Sequence, residues 1–482
     1  MSMITYFPAI AEIFLALIAI ILVLVAAFGG DEGRVSQIMR RLGLVTLVAT
    51  GILVLSYGRE SSLAFGGLFL TTPFAVFMKM IVLVGAGIVL LLAKPSLKAD
   101  NINKPEFTML VLMSVLGMMV LISSNDLMVL YMGIELQSLP LYVIAAMQRD
   151  SLRSSEAGLK YFLLGALSSG LLLYGISLIY GFTGATNYAE ISQSLSGSVS
   201  SGAVIGIIFV ISGMAFKISA APFHMWTPDV YEGSPTIVTA FFAIVPKVAA
   251  MALFLRITYG MLAPVPGVWQ QVVAVIAVLS MVVGALAAIM QTDLKRLMAY
   301  SSIAHMGYAL VGLSAATTGA VSAVMIYMLI YVISSIGVFA IILNLTREGE
   351  AVHRISDLKG YSRSHPLHAA CLLVFMFSMA GIPPLGGFFG KWFTFMAAVN
   401  AGLIPLAVIG VLSSVVGAFY YIRIVKVMYI DEVDIVLDPS ARRANTIIMG
   451  LSALILALFV FGLSPLREAV IATVPHIILI AG

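Results

Sequence analysis

The most constraining feature of this chain is a succession of apolar runs, each about as long as a bilayer is thick. A helix that crosses the hydrocarbon core needs about 20 apolar residues. The chain of 482 residues is 61% hydrophobic and only 10% charged, a composition typical of membrane proteins. It therefore predicts an all-α polytopic membrane protein with about 14 transmembrane helices, near 9–28, 42–57, 74–93, 107–123, 125–147, 156–181, 202–224, 237–261, 268–290, 298–315, 319–345, 368–397, 402–430 and 444–464.

The basic residues between these spans indicate their orientation. The connections after even-numbered spans carry little beyond Arg59. Lysine and arginine are enriched on the cytoplasmic side of membrane proteins, so the odd connections are predicted to face the cytoplasm and both termini the opposite side. The basic residues of the odd connections are Arg34, Arg40, Arg41, Lys94, Lys98, Lys104, Arg149, Arg153, Lys295, Arg296, Arg347, Arg354, Lys359, Arg363, Arg442 and Arg443.

Two spans contain prolines where a membrane helix is normally continuous. Span seven holds Pro222 shortly after Lys217, and span twelve holds GIPPLGG at 381–387, followed by Lys391. Proline removes a backbone donor that lipid cannot replace, so helices 7 and 12 are predicted to be discontinuous. Breaks at matching places in two sets of five spans suggest two inverted five-helix repeats. The predicted segments are an N-terminal three-helix segment, the two repeats, and a C-terminal helix with its tail: 1–104, 105–265, 266–435 and 436–482.

Few ionisable residues lie within the spans. A lysine at the centre of a membrane helix costs roughly 2.5 to 3.5 kcal/mol, so several of them argue for a function. Two charges about 7 Å apart at an effective dielectric of 20 interact by roughly 2.4 kcal/mol, so moving one charge can change the protonation of its neighbour. The candidates for proton translocation are Glu135, Lys160, Lys217, Lys247, Lys391, His224 and His305.

Some of these residues also have a structural interpretation. Lys160 can form an i, i+4 ion pair with Glu156 at the membrane interface. Lys79 can extend its amine to the headgroups, and His224 and His305 can each satisfy a backbone carbonyl. Residues near helix ends are expected to be interfacial anchors, as at Arg256, Arg423 and Lys426.

Other chemistry is missing from the sequence. It has no GxGxxG placed between a strand and a helix, no Walker loop, no CxxC, no HExxH and no GxSxG. The single cysteine, Cys371, excludes an internal disulfide and an all-cysteine metal site. We therefore expect this chain to bind no metal, nucleotide, flavin, iron-sulfur cluster or haem, and its small net charge of +4 gives no reason to expect nucleic acid.

Six motifs are spread along the chain: YMGIELQSLPLYVIAA, SSEAGLKYFLLGALSSGLLLYGISLIYG, FKISAAPFHMWTPDVYEGSPT, IVPKVAA, LMAYSSIAHMGY and GIPPLGGFFGKW. Together they resemble a known family, subunit N of bacterial NADH-quinone oxidoreductase (respiratory complex I). The resemblance covers nearly the whole chain. The presence of PDVYEGSPT after span seven and of a lysine in span twelve favours subunit N over its sister antiporter-like subunits.

The resemblance implies roles for the candidate residues. Glu135 and Lys217 match the family's glutamate of span five and its lysine partner in span seven. Lys247 matches the central lysine of span eight, and Lys391 the terminal lysine of span twelve at the exit half-channel. Lys160 matches the polar residue of span six, while the two histidines fall on family histidines with less settled roles.

The resemblance also implies a setting. NAD, FMN, iron-sulfur clusters and quinone would be bound only by partner subunits, and this chain would couple their redox chemistry to proton pumping. Its partners would be the other membrane-arm subunits, including the sister antiporter-like subunits, together with lipids and protons. It would lie in the bacterial inner membrane with both termini on the periplasmic side.

Two alternatives remain open from the sequence. One is a subunit of a multisubunit sodium/proton antiporter with the same fold. The other is a structural membrane subunit that transports nothing, whose buried charges only pair with one another.

Overall fold

The computed structural model describes residues 7–100, 102–197, 199–432, 437–438 and 443–478. Arg442, the predicted boundary at 435/436 and the ends of the two terminal segments lie outside these ranges. The regular secondary structure of the described chain is helical except for two short hairpins. Its helices are α1 Ile10–Phe28, α2 Glu32–Tyr57, α3 Pro73–Ala99, α4 Pro105–Ser123, α5 Leu127–Ala145, α6 Leu152–Thr183, α7 Tyr188–Leu195, α8 Ser201–Lys217, α9 Trp226–Gly233, α10 Thr236–Ile244, α11 Pro246–Arg256, α12 Pro266–Ile289, α13 Leu294–Ser314, α14 Thr318–Ile342, α15 Tyr361–Ser364, α16 Pro366–Ala380, α17 Gly386–Asn400, α18 Ile404–Tyr429, α19 Arg443–Ala457, α20 Phe459–Thr473 and α21 Pro475–Ile478.

The two hairpins are antiparallel and lie in connections between helices. Strands β1 Ser62–Ala64 and β2 Phe69–Thr71 pair after α2, and β3 Thr346–Arg347 and β4 Glu350–Ala351 pair after α14. The fold class is thus that of an all-α polytopic membrane protein, as the apolar runs predicted.

Ten described helical segments are each long and apolar enough to cross a membrane. The other four predicted spans coincide with α8, α13, the pair α16–α17, and α19. At the end of α19 the chain bends by 80° into α20, within the range predicted as a single span. The count of fourteen, the inverted repeats and the segment boundaries stay predictions.

Helix α2 begins ten residues before the predicted span. The Asp31 side chain caps it by accepting hydrogen bonds from the backbone amides of Gly33 and Arg34 at 2.8 and 3.2 Å. Apolar residues recur along its first turns, and Val35 and Met39 are buried there. Arg40 and Arg41 therefore lie on a helix rather than in a loop.

Both predicted breaks are present. Helix α8 ends at Lys217, and a non-helical stretch containing Pro222 leads to α9. Helix α16 ends at Ala380, where Gly381 adopts a left-handed φ of 90°, and α17 begins at Gly386. Each break leaves the last carbonyls of a helix without intrahelical partners, and these carbonyls become part of the candidate site.

The connections after odd-numbered spans gather at one end of the bundle. The backbone amide of Leu294 donates to the carbonyl of His353 at 2.7 Å, and that of Ile355 to Thr292 at 2.9 Å. Asp438 accepts from the amides of Glu348 and Gly349 at 3.0 and 2.9 Å, and these bonds hold the pKa of its carboxyl below the usual value. At the other end, Asn125 Nδ2 donates to Gly67 O at 2.9 Å, which joins two even connections.

Two basic residues are placed differently from the prediction. Lys79 does not extend to the headgroups: it is 2% exposed, and its amine lies 2.6 Å from the Glu12 carboxylate. Arg256 is not an interfacial anchor: it is 1% exposed, and its Nη1 donates to Ile122 O at 3.0 Å and to Leu70 O at 3.4 Å. In both cases the partner comes from a distant part of the chain, which periodicity does not reveal.

Candidate functional site

Lys217 lies at the C-terminal end of α8, where the broken helix brings it against α5. Its Nζ donates to Ser138 Oγ at 2.9 Å and to Tyr142 OH at 3.5 Å. These two residues are four apart on α5, so they share a helix face. Cations are also favoured at the C-terminal end of a helix because of its dipole. The broken helix thus places a buried amine among hydroxyl groups.

Glu135 lies one turn before Ser138 on α5. It is half-buried, and its Oε1 is enclosed without a hydrogen-bond partner. Glu135 and Lys217 are not in direct contact among the described ion pairs. The Ser138 hydroxyl, which accepts a hydrogen bond from the Lys217 amine, is one turn from Glu135 on α5.

The non-helical stretch after Lys217 is held by neighbouring elements. The Ala221 amide donates to Ser280 Oγ of α12 at 2.8 Å, and Trp226 Nε1 donates to the carbonyl of Phe216 at 3.1 Å. His224 lies in this stretch, half-buried, and its Nδ1 has no hydrogen-bond partner. The break is therefore an ordered element, with one imidazole available for hydrogen bonding.

Lys247, near the start of α11, is 1% exposed. Its Nζ donates to Ser302 Oγ of α13. The Ser302 hydroxyl lies 2.7 Å from Tyr331 OH, which in turn donates to Ala243 O at 3.0 Å. A central lysine is thereby connected through two hydroxyl groups to the backbone of α10.

His305 lies one turn after Ser302 on α13 and uses both ring nitrogens. Its Nδ1 is 2.6 Å from Tyr327 OH and its Nε2 is 3.0 Å from Tyr421 OH. Tyr421 OH also contacts Ser301 Oγ. Because hydroxyls and a neutral imidazole both donate and accept, these groups can pass a proton in either direction.

Lys391, on the second turn of α17, reaches back across the break. Its Nζ donates to Met379 O at 2.8 Å, to Ala380 O at 3.0 Å and to Ser414 Oγ of α18 at 2.7 Å. The two carbonyls belong to the last turn of α16, so the amine satisfies acceptors that the end of the helix leaves free. The Tyr308 ring lies 4.8 Å from this amine and 5.8 Å, ring to ring, from His305.

Aromatic rings lie between Lys217 and Lys247. Tyr142, which contacts Lys217, packs edge-to-face on Tyr161 at 4.8 Å. Tyr161 stacks on Trp226 at 4.3 Å, Trp226 contacts Tyr231 at 6.5 Å, and the Tyr231 ring lies 5.5 Å from the Lys247 amine. The candidate residues thus form two groups, one at Lys217 and one from Lys247 to Lys391, separated by a short aromatic layer.

Lys160 lies apart from both groups, at the end of the bundle where the odd connections gather. It pairs with Glu156 and with Asp229 of α9, both at 2.7 Å. Asp229 also pairs with Arg296 at 2.8 Å, as does Glu232 at 2.9 Å. The i, i+4 pair considered from sequence is present. The charged cluster borders an open cavity of about 210 Å³.

The sequence reasoning missed the hydroxyl residues. Ser302 and Ser301 precede His305 by three and four positions in YSSIAH, a spacing that places all three on one helix face. That signal was available. The tyrosines at 327, 331 and 421 come from other helices, and in an apolar run they count as hydrophobic residues. In the part of the chain that the structure describes, no three His, Cys, Asp or Glu side chains gather as a metal site.

The chain is similar to known proteins along most of its length. The family described as "NADH:quinone oxidoreductase/Mrp antiporter, TM" matches residues 124–417. NADH-quinone oxidoreductase subunit N of Rhodospirillum rubrum is 53% identical over 94% of this chain and 93% of that protein. Subunit N 1 of Rhizobium meliloti is 49% identical over 95% of each chain.

Solved structures agree with this similarity. A chain of respiratory complex I from Thermus thermophilus superposes with a TM-score of 0.81 at 32% identity, covering 95% of this chain and 98% of that chain. A chain of the Mrp complex from Dietzia superposes with a TM-score of 0.82, covering 99% of this chain and 100% of that chain, but at 21% identity it shows a common fold only. By sequence over nearly its full length, and by fold, this chain belongs to the subunit N family of NADH-quinone oxidoreductase.

Proposed function

We propose that this chain is the proton-translocating membrane-arm subunit of an NADH:quinone oxidoreductase, and that protons move along its buried lysines and hydroxyl groups. The observation that carries the proposal is a series of residues in successive hydrogen-bonding or ring contact across four helices: Lys247, Ser302, Tyr331, His305, Tyr308 and Lys391. Apolar side chains at these positions would stabilise the helix bundle at least as well as these polar and charged groups do. Their arrangement suits the transfer of protons.

The chemistry assigned to each residue follows from its contacts. Lys247 and Lys391 would each hold a proton, and His305 would pass one between Tyr327 and Tyr421 by exchanging which nitrogen carries hydrogen. The negative charge of Glu135, one turn from the Ser138 hydroxyl that binds Lys217, would influence whether Lys217 is protonated. His224 would relay protons at the same end of the path. Lys160 would act at the charged cluster, where protons enter or leave.

The assembly proposed follows from the family. NADH oxidation and quinone reduction, with their FMN and iron-sulfur clusters, would occur in partner subunits, while this chain supplies only proton transfer. Its neighbours would be other membrane-arm subunits, including sister antiporter-like subunits. The chain would lie in a bacterial inner membrane with the odd connections in the cytoplasm and both termini in the periplasm.

The test uses the assembled complex in sealed vesicles. Lys217→Met and Glu135→Gln keep side-chain volume and remove charge, so we expect fewer protons moved per NADH oxidised, with the complex still assembled. The matched control replaces a buried ion pair outside the path, Glu12→Leu together with Lys79→Met, and should leave that ratio unchanged. An unaltered proton-to-NADH ratio in both charge variants would refute the proposal.

Two other functions give different results. A sodium/proton antiporter, suggested by the shared fold with the Mrp chain, would move protons in response to a sodium gradient without NADH. A purely structural subunit would tolerate joint replacement of Glu135 and Lys217 by apolar residues, because buried charges that only balance each other can often be replaced by apolar side chains. Pumping would then continue. NADH-dependent pumping that fails in the joint variant would exclude both.

A further inference from the structure

The surface between α2 and α3 carries an apolar groove that the proton path does not use. Its walls are six residues of each helix, and it encloses about 360 Å³, within the range of small-ligand sites. We name it the α2–α3 groove, lined by Leu44, Leu47, Val48, Gly51, Ile52 and Leu55 of α2 and Met80, Leu83, Val84, Gly87, Ile88 and Leu91 of α3.

One end of this groove is basic. Arg41 lies one turn before Leu44 on α2, and Lys94 lies one turn after Leu91 on α3. Both side chains are exposed, as is Lys98 one turn further along. None of the three takes part in an ion pair among the described residues. The groove therefore ends at three positive charges that have no carboxylate partner in the described part of the chain.

A buried arginine at the same end has one donor without a partner among the described residues. Arg40 is 7% exposed, and its Nη1 is enclosed without a hydrogen-bond acceptor. A buried guanidinium nitrogen without an acceptor is costly, and phosphate oxygens are well-matched acceptors for it. The charges and the unsatisfied Arg40 thus both favour an anionic group at this end.

The length of the groove distinguishes between possible occupants. From Leu44 to Leu55 the helix rises about 16 Å at 1.5 Å per residue, and Met80 to Leu91 gives the same length. One leaflet contributes about 15 Å of a hydrocarbon core that is about 30 Å thick. The length of the groove therefore matches one acyl chain that starts at the basic end. A transmembrane helix of a partner would need a groove about twice as long.

We propose that the α2–α3 groove binds an anionic phospholipid. One acyl chain lies between the two helices, and the phosphate of the headgroup lies between Arg41 and Lys94, within reach of Arg40. Basic sites between membrane helices are a recurrent way of recognising such lipids. This proposal does not depend on proton translocation.

The test measures lipid binding to the full chain by native mass spectrometry. Anionic phosphatidylglycerol and zwitterionic phosphatidylcholine, with the same acyl chains, are titrated separately. We expect tighter binding of the anionic lipid, and glycerol phosphate, which lacks acyl chains, should not displace it. The double variant Arg41→Gln, Lys94→Gln should weaken anionic binding by about 30-fold, because each basic residue near the headgroups contributes about a factor of five.

A second variant tests the groove itself. A Cβ at Gly87 would meet no atom within 4 Å, so the backbone there accepts a side chain, and Gly87→Leu should project into the groove and also release the lipid. The matched controls are Gly170→Leu, at a glycine of α6 that is equally open, and the pair Arg149→Gln, Arg363→Gln, which removes two exposed charges elsewhere at the same end. Both controls should bind the lipid as the parent chain does.

Three outcomes would overturn the proposal. Equal affinity for both lipids would show that the charges do not recognise a headgroup. Unchanged binding in both test variants would place the lipid elsewhere. A photoreactive residue at position 84 that crosslinks to another subunit, rather than to lipid, in the assembled complex would show that a protein covers the groove.

Discussion

Lys79 and Lys391 are both buried lysines, but their partners differ in kind. Lys79 faces one carboxylate, Glu12, at 2.6 Å, and the two charges neutralise each other. The amine of Lys391 faces two carbonyls and a hydroxyl, with no carboxylate among its described partners. A fixed ion pair holds helices together, whereas an amine among neutral groups can change its charge. This difference in partners is why we propose a transport role for Lys391 and expect a structural role for Lys79.

We predict that Lys79→Met destabilises the protein strongly, by about 3–5 kcal/mol, because it leaves the Glu12 carboxylate buried and unpaired. Adding Glu12→Leu should recover most of the loss. The partly exposed pair of Lys426 and Asp431, 3.2 Å apart, provides a control, since Asp431→Asn should cost less than about 1 kcal/mol. Thermal unfolding in detergent measures all three. Equal losses in the single and double variants would contradict the pairing argument.

His353 predicts a pH effect in the connection between α14 and α15. Its Nε2 lies 3.3 Å from Thr236 Oγ1 and its Nδ1 has no partner. Burial, and then the charge of Lys295, lower the pKa of His353 to about 3. Below about pH 6.5 the unfolded connection binds a proton that the folded one does not, so its stability falls as pH falls through this window.

The carboxyl groups of Asp100 and Glu350 line the same cavity, so the readout must isolate the imidazole. We expect hydrogen exchange of residues 346–358, corrected for intrinsic rates, to speed up between pH 7 and pH 5 in the parent chain. His353→Gln should remove most of this change while the two carboxyl groups remain. Equal pH dependence in the parent and the variant would assign the effect to the carboxyl groups.

At the scale of elements, the two broken helices were predictable and their consequences were not. Pro222 and the prolines in GIPPLGG indicated where the backbone must leave the helix, since proline cannot donate. Which groups the freed ends would meet depended on packing. The carbonyls of Met379 and Ala380 accept hydrogen bonds from the Lys391 amine. The amide of Ala221 donates a hydrogen bond to Ser280 on another helix. Such contacts between distant segments leave no periodic signal in one sequence.

The second break depends on close approach of α17 to α16. A Cβ at Gly387 would lie 1.8 Å from the carbonyl oxygen of Ser378, and the Gly387 amide donates to Ser378 Oγ at 3.0 Å. Gly387→Ala should therefore push the two half-helices apart, displace the Lys391 amine and reduce proton pumping by about tenfold or more, since a displacement of about 1 Å can cost a reacting group that much. Gly450→Ala, where a Cβ meets nothing within 4 Å, is the control. Normal pumping in Gly387→Ala would show that this approach is not required.

At the scale of the whole molecule, the alternation of basic residues anticipated which connections lie together. Residues from odd connections meet at one end, as Arg296 does with Asp229, and even connections meet at the other, as Asn125 does with Gly67. The burial of Arg256 was not foreseeable, because its acceptors at Leu70 and Ile122 lie more than 100 residues away in the chain. The pattern of charges thus predicts on which side of the membrane bundle each connection lies, whereas the hydrogen-bond partners of a buried residue are known only from the fold.

The assignment of those two ends to the cytoplasm and the periplasm can be tested by labelling. Cys371 is the single cysteine and is buried, so Cys371→Ala provides a cysteine-free background. In intact cells a membrane-impermeant maleimide should label Gly197→Cys, in an even connection, and should label Asp150→Cys only after permeabilisation. Both positions are exposed. The reverse pattern would invert the predicted topology.

The three acceptors around Lys391 match the three hydrogens of an ammonium group. A neutral amine has only two, so losing the proton removes one of the three hydrogen bonds that the amine donates to α16 and α18. The hydrogen that is transported would therefore also be one of those that hold α17 against the neighbouring helices. In a working pump, each deprotonation of Lys391 would weaken the contact between these helices, and each protonation would restore it.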